Sequence, residues 1–245
     1  MKDSTSPGRR WTPAIVTRIE RRTPSVISLF LLVEIPGSLA GQHVDIRLTA
    51  PDGYQAQRSY SIASAPGSDE LELIVERLDD GEVSPYVHEF VQPGDTIDIR
   101  GPIGGHFIWE ATFEQPVLLV AAGSGAAPLI SILRHRLESK SGSPMLLLYS
   151  ARTWDDVICR DELLDIAKLD SALQIMLTLT RLQSTRPADF NRRIDSGLVE
   201  ETLQRWGHIP ARTYVCGSND FVDPATTALI ANGIPAPSIR TERYG

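Results

Sequence analysis

Cysteine is nearly absent from this 245-residue chain; Cys159 and Cys216 are the only two. Two thiols cannot build a disulfide framework, a four-cysteine iron–sulfur cluster or a structural zinc site. The five histidines, His43, His88, His106, His135 and His208, lack ligand spacing, so no metal is expected. No run of 18 apolar residues occurs, which excludes a transmembrane helix. The opening MKDSTSPGRR has no apolar core of a secretory signal. A cytoplasmic location is therefore the default expectation, with residues 1–10 as a disordered lead-in. Lysine is scarce as well, with three against 21 arginines. The net charge of −7 argues against nucleic acid as a partner. Positive charge gathers at the start, where Lys2, Arg9, Arg10, Arg18, Arg21 and Arg22 face only Asp3 and Glu20 within 25 residues. That segment reads either as a solvated edge strand or as a docking patch for an acidic protein.

Turn residues are plentiful in the first half: Pro36-Gly37, Pro51-Asp52-Gly53, Pro66-Gly67 and Pro93-Gly94-Asp95. Between them lie short strands over 14–22, 26–34, 43–49, 59–63, 71–77 and 96–100, with one helix over 84–91. Alternation in His43-Val44-Asp45-Ile46-Arg47-Leu48 is that of a half-buried antiparallel strand. Six strands without room for crossover helices predict a small closed barrel over 11–112. From residue 113 the pattern changes to continuous apolar strands alternating with helices. Strands are expected over 116–122, 145–150, 173–180, 213–216 and 239–243, and helices over 127–140, 160–168, 197–205 and 224–232. This alternation predicts a doubly wound parallel sheet over 113–245.

In such a sheet ligands bind beyond the carboxyl ends of the strands. The distinctive residues fall there: Gly123-Ser124-Gly125, Arg152, Thr180-Arg181, an exposed-looking Cys216-Gly217-Ser218, and Glu242-Arg243-Tyr244. The glycine turn lets backbone approach a pyrophosphate, the following helix offers N–H donors, and Pro128 suits that helix's first turn. A ligand-free tight turn fits the same residues. Arg152 and Arg181 could clamp a ribose phosphate, which points to NADPH over NADH, although an arginine at any strand end is unremarkable in so arginine-rich a chain.

In the first half, Arg58-Ser59-Tyr60-Ser61 supplies a guanidinium for a flavin pyrophosphate, a flat ring for the isoalloxazine and a hydroxyl for its N5. An ordinary surface strand would look similar. Gly81-Glu82-Val83-Ser84 opens a helix whose N–H groups could hold the same pyrophosphate, or Ser84 is a plain N-cap. Cys216 reads equally as a buried structural thiol, and Glu242 as a solvated terminal carboxylate.

Taken together, these motifs resemble the ferredoxin–NADP⁺ reductase superfamily, in its bacterial oxygenase-reductase branch, over residues 11–245. The resemblance implies a flavin-binding antiparallel barrel followed by a nucleotide-binding α/β domain, with FAD rather than FMN. It matches Arg58, Tyr60 and Ser61 to the flavin motif. Ile74, Val75 and Glu76 match the strand facing the ring and ribityl chain, and Gly81, Val83 and Ser84 match the second pyrophosphate motif. Gly123, Ser124, Gly125 and Pro128 match the nucleotide loop. Cys216 and Gly217 match the pair beside the nicotinamide, and Glu242 and Tyr244 the terminal acid and aromatic near the flavin. Ser124 stands where threonine is commoner, Ser218 where proline is commoner, and Tyr244 is followed by Gly245. The implied activity is hydride transfer from NAD(P)H to FAD, then single electrons to a separate ferredoxin or oxygenase component, by a monomer. The alternatives are a flavin or iron-chelate reductase with a small-molecule acceptor, and a non-catalytic flavin-binding regulatory module.

Overall fold

The computed structural model describes residues 10–184 and 186–244; apart from Arg10, the expected lead-in lies outside them. Contacts divide the chain into two units. One runs to Glu110 and includes Ile130–His135; the other comprises Ala111–Leu129 and the chain from Arg136 onward.

The first unit carries β1 (Thr12–Thr23), β2 (Val26–Leu32), β3 (His43–Thr49), β4 (Gln55–Ser61), β5 (Leu71–Glu76) and β6 (Thr96–Ile103), with helix α1 (Val83–Glu89). The strands lie in the order β4-β3-β6-β1-β2-β5, and each recorded pairing is antiparallel. The two end strands approach each other at the Ile62–Leu73 bridge, so the sheet curls into the expected six-stranded barrel with a seam between β4 and β5. Alternate residues point inward: Leu29 and Leu31, Val44 and Ile46, Leu73 and Val75, Ile97 and Ile99. Val83 and Val87 of α1 join this core. Each such side chain contributes roughly 1.5–3 kcal/mol by leaving water.

Three strand expectations shift. β4 begins at Gln55 rather than Ser59. The turn before it closes tightly, with Gly53 N donating to Ala50 O at 2.9 Å and Ala50 N to Tyr54 O at 2.8 Å. Gln55-Ala56-Gln57 lacks apolar alternation, which hides the strand. β6 runs past Gly101-Pro102, because the pairing with β3 slips between His43 and Asp45, and a proline is tolerated at such an irregularity. β1 is an interior strand rather than an edge, although only its first part pairs with β6.

The basic patch is also altered. Lys2 and Arg9 lie outside the described residues. Arg18 pairs with Glu20 and Glu70 and lies over the Phe30 ring. Arg22 pairs with Glu20 and Glu72. Two of the four described basic residues of the patch are thus answered within the barrel, while Arg21 donates to Pro24 O at 3.1 Å.

On the outer face, Asp45 sits opposite Ser59 of β4 and Arg100 of β6. Ser59 Oγ donates to its carboxylate at 2.6 Å, and Arg100 donates through Nε at 3.1 Å and Nη2 at 2.6 Å. One rung along, Arg47 Nη2 donates to Asp98 at 2.7 Å, and the Trp11 ring lies against both guanidiniums. Such cross-strand pairs hold register. Burial pushes the Asp45 pKa up, but the bonds from Ser59 and Arg100 outweigh it and leave the group below the ordinary carboxylate value.

In the second unit the parallel strands are β7 (Val117–Ala122), β8 (Met145–Ala151), β9 (Leu173–Leu179), β10 (Arg212–Ser218) and β11 (Ile239–Tyr244), in the order β11-β10-β7-β8-β9. Helices α2 (Ala126–Glu138), α3 (Arg160–Leu169), α4 (Ser196–Trp206) and α5 (Asn219–Ala231) alternate with them. Leu118, Val120, Leu146, Leu148 and Val215 form one buried layer with α4 and α5, while Leu119, Leu147 and Tyr149 are buried on the opposite face. Both faces are covered, as the unbroken apolar strands predict. α5 starts at Asn219, five residues before the expected Pro224, because early helix buries Val222 and packs Phe221 on the core.

A depressed carboxyl pKa stabilises the fold above the unfolded value, near 4, and that contribution is lost as pH falls through the folded value. Asp45→Asn is therefore expected to cost about 1–2 kcal/mol at pH 7, with the deficit shrinking by pH 3.5. Denaturant titrations of both proteins at the two pH values check this; an equal deficit at both would assign the loss to packing.

Candidate functional site

The β4 strand presents Arg58, Ser59, Tyr60 and Ser61 beside the barrel seam. Alternation puts Arg58 and Tyr60 on one face and Ser59 and Ser61 on the other. Arg58 is exposed; its Nη1 donates to Gln57 O at 2.8 Å, and among the described residues it forms no ion pair. Tyr60 packs against the barrel core, and burial pushes its phenol up to about 12, so the ring stays neutral. Ser59 directs its hydroxyl to Asp45 and so anchors the strand. Ser61 lies opposite His43 and is half-buried.

On β5, Ile74 and Val75 are buried and Glu76 is half-buried. Val75 faces the core, and His88 Nε2 lies 3.0 Å from its carbonyl. The N-cap of α1 is Glu82, not Ser84. Ser84, in the first turn, accepts the Leu78 N–H at 3.0 Å, and Gly81 N donates to Leu78 O at 2.9 Å. A Cβ on Gly81 would lie 3.1 Å from Leu78 O, so the turn is compact. Ser84 therefore braces the turn before the helix, and its own hydroxyl proton can still be donated.

The second unit gathers its candidates at the carboxyl edge of the sheet. Gly123, at φ +54°, Ser124 and Gly125 form a 3₁₀ turn between β7 and α2, and Pro128 is buried in the first turn of α2. Gly125 is irreplaceable on steric grounds: a Cβ there would meet Cys216 O at 2.4 Å and Gly217 N at 2.7 Å. Gly217 is confined likewise, since its Cβ would meet the Phe221 ring at 2.5 Å. Strand register places Cys216 beside Ala121 on one side and Glu242 on the other.

Cys216 is buried rather than exposed, because the turn at Gly125 lies against its backbone. Burial first, and the Glu242 carboxylate second, push its thiol well above 9, so it is a neutral S–H at physiological pH. Thr180 N donates to Ala151 O at 3.0 Å and Arg181 N to Arg152 O at 2.8 Å. These bonds prolong the β8–β9 pairing and bring Arg152 and Arg181 together. Both are exposed, and neither forms an ion pair among the described residues.

Two tyrosines grip the glycine turn. Tyr244 donates its phenolic proton to Ala122 O at 3.0 Å, and Tyr149 donates to Gly123 O at 3.0 Å while accepting Ile158 N–H at 3.3 Å. Sequence reasoning passed over Tyr149. Its signal is a polar atom at the end of the apolar run Met145–Leu148, since a buried tyrosine hydroxyl needs a partner.

The donor set suits two nucleotide cofactors. An unpaired guanidinium and a neutral ring on β4 suit a flavin pyrophosphate and ring. A glycine turn leading from a strand end into the N-terminus of α2 suits a nucleotide phosphate.

Tyr149→Phe leaves Gly123 O and Ile158 N without their bridge. The expected loss is about 1–3 kcal/mol, seen as a lower denaturation midpoint, together with a raised Kd for NADP⁺. An unchanged midpoint and Kd would show that the turn holds without the phenol.

Residues 25–108 match the oxidoreductase FAD-binding domain and residues 119–226 the oxidoreductase NAD-binding domain. The chain is 33% identical over 210 residues to ferredoxin–NADP reductase B of Sorangium cellulosum, covering 84% of each. It is 31% identical over 231 residues to the reductase component of propane 2-monooxygenase from Mycolicibacterium goodii, with 91% of this chain aligned. It spans only 65% of that relative's length. The FAD/NAD-binding domain of a Vibrio cholerae nitric oxide dioxygenase superposes with a TM-score of 0.83 at 22% identity, over 97% of this chain and 100% of that one. With the barrel, the parallel sheet and both nucleotide-binding domains in this order, the chain belongs to the ferredoxin–NADP⁺ reductase superfamily.

Proposed function

We propose that this chain is a flavoprotein reductase that takes a hydride from NADPH and delivers electrons one at a time to a separate protein, of the ferredoxin or oxygenase-component class. The observation that carries this reading is the pairing of an unpaired Arg58 beside the neutral Tyr60 ring with a glycine turn wedged against Cys216 and Gly217. The relatives named as reductase components support a separate acceptor. Bound FAD supplies the step from a two-electron donor to one-electron release.

The protein's own residues bind, orient and shield. Arg58 neutralises the flavin pyrophosphate, with Gly81, Val83 and Ser84 shaping the turn and helix start beside it. Tyr60 provides the stacking face, Ser61 a hydroxyl at the ring edge, and Ile74, Val75 and Glu76 the strand along the ribityl chain. Gly123, Ser124, Gly125 and Pro128 seat the nucleotide pyrophosphate, and Thr180 supports Arg181 by extending the ladder. Arg152 and Arg181 take the ribose phosphate that distinguishes NADPH from NADH. Cys216 and Gly217 pack beside the nicotinamide. A thiol held protonated serves there as a compact neutral contact rather than as a base. Glu242 is the proton-handling group, and Tyr244, tied to Ala122 O, closes the end of the sheet. Residues 11–112 form the flavin domain and 113–245 the nucleotide domain. Two buried, unbridged cysteines fit a reducing, cytoplasmic setting.

Anaerobic NADPH should bleach the flavin absorbance of the purified protein; a spectrum untouched by NADPH would leave only a binding module. Arg58→Ala should be isolated with little flavin and an intact fold by circular dichroism, since one charge-assisted contact contributes about 1.5–3 kcal/mol. Full occupancy in that variant would remove Arg58 from the site.

The parent should show a higher kcat/KM for NADPH than for NADH. Arg152→Ala and Arg181→Ala should each narrow that gap through the NADPH KM, by about 1.5–3 kcal/mol per charged contact. Equal use of both nucleotides by the parent contradicts the assignment.

A further inference from the structure

β4 and β5 are the two end strands of the barrel sheet, and the Ile62–Leu73 bridge joins them. One rung on, Ala63 N donates to Glu72 O at 2.8 Å, and Ser64 Oγ accepts the Glu72 N–H at 3.1 Å. Counted the other way from the bridge, the antiparallel register sets Ser61 opposite Ile74 and Tyr60 opposite Val75. No β4–β5 ladder continues there among the described residues. The candidate flavin residues therefore stand on the two lips of an open seam, and the rung at Ala63 and Glu72 is its root.

That root is fastened from outside the two strands. Ile130–His135 of α2 belong to the barrel unit by their contacts, although they lie beyond residue 112, where the proposed flavin domain ends. Arg134 Nη1 donates to Ala63 O at 2.9 Å and also to the Glu72 carboxylate, so one nitrogen spans both sides of the seam. Ser131, on the same helix face, donates to Ser64 O at 2.7 Å. The Glu72 side chain is buried, and Ser28 Oγ and Arg22 Nη2 donate to it as well. Burial pushes its carboxyl pKa up, but the Arg134 charge and the Ser28 bond outweigh it and leave the group below the ordinary carboxylate value. Apolar packing is non-directional, whereas charge-assisted bonds to both sides of a seam fix their separation.

We propose that Arg134 is a positioning residue for the flavin: aided by Ser131, it fastens the root of the β4–β5 seam and so sets the gap across which Tyr60 and Ser61 face Ile74 and Val75. This rests on the flavin reading above and deepens it. The grip on the ring is set by a helix turn outside the strands that meet it.

The test uses the full-length protein loaded with FAD. Parent, Arg134→Gln, Arg134→Lys and Ser131→Ala are compared by FAD release on dilution, followed by flavin fluorescence, and by visible circular dichroism of the bound ring. Thermal midpoints of the flavin-free proteins are measured beside them. Arg134→Gln should release FAD about tenfold faster, the scale of one charge-assisted hydrogen bond, with an altered dichroic band. Arg22 and Ser28 still answer Glu72 in that variant, so no bare buried charge is left. Ser131→Ala should speed release about fivefold, the scale of a neutral hydrogen bond. Arg134→Lys should return release to within about threefold of the parent, because a single ammonium can donate to both Ala63 O and Glu72. Parental release and dichroism in both Arg134→Gln and Ser131→Ala, with only the midpoint lowered, would overturn the proposal. So would a lysine variant that loses FAD as fast as the glutamine one. In both cases the flavin site itself stands. Should Arg134→Gln fail to fold, Ser131→Ala decides by the same two readouts. A parent that retains no flavin would overturn both readings together.

Discussion

The carboxyl edge of the parallel sheet depends on one close approach, that of Gly125 to the backbone of Cys216 and Gly217. Any side chain at 125 would have to occupy space already filled by the Cys216 carbonyl. With glycine there, the turn after β7 leans on the end of β10, and the register of three parallel strands sets Ala121, Cys216 and Glu242 abreast. The same contact removes Cys216 from solvent and raises its thiol pKa. Tyr244 and Tyr149 fix the neighbouring carbonyls of Ala122 and Gly123. The Ala126 N–H at the start of α2 also donates to the Gly123 and Ser124 carbonyls, so the helix start closes on the same turn. The packing of the turn and the burial of Cys216 thus arise from one arrangement.

The barrel solves a different problem. A six-stranded sheet that closes by little more than the Ile62–Leu73 bridge leaves β4 without a full partner on its outer side. The Ser59–Asp45–Arg100 rung and its neighbour Arg47–Asp98 tie β4 to β3 and β6 from the opposite face. The strand bearing Arg58 and Tyr60 is thereby held without using Arg58, while Tyr60 adds its packing on the core. Alternation makes this division possible, since residues 58 and 60 share one face and 59 and 61 the other.

Fold class was legible because hydrophobic period changes from two to continuous near residue 113, and because turn chemistry separates every early strand. The strand ends carrying Gly123, Arg152, Arg181 and Glu242 could be placed for the same reason. What escaped was set by contacts distant in sequence. β4 hid behind polar Gln55 and Gln57 because one face of that strand meets solvent. The early start of α5 depends on burying Val222 and Phe221, which overrides the usual reading of Pro224 as a helix beginning. Cys216 looked exposed because nothing in its own segment announces that Gly125 covers it. Tyr149 depends on partners 9 and 26 residues away in sequence, and no local motif marks it.

Arginine illustrates why composition alone misleads. A basic N-terminal stretch reads either as a solvated edge strand or as a docking surface, and within it Arg18 and Arg22 are bound into the barrel by Glu20, Glu70 and Glu72. Arg47, Arg100, Arg136 and Arg186 are likewise paired with carboxylates of their own unit. A guanidinium committed to a carboxylate on the same surface contributes little field at a distance and little affinity for a second anion. Arg58, Arg152 and Arg181 differ in kind. They stand at a barrel seam and at adjacent strand ends, without ion pairs among the described residues. On the function proposed above, these three are the arginines that would meet cofactor phosphates. Pairing state, rather than the number of positive charges, separates the arginines that hold the fold from those whose guanidinium remains uncommitted among the described residues.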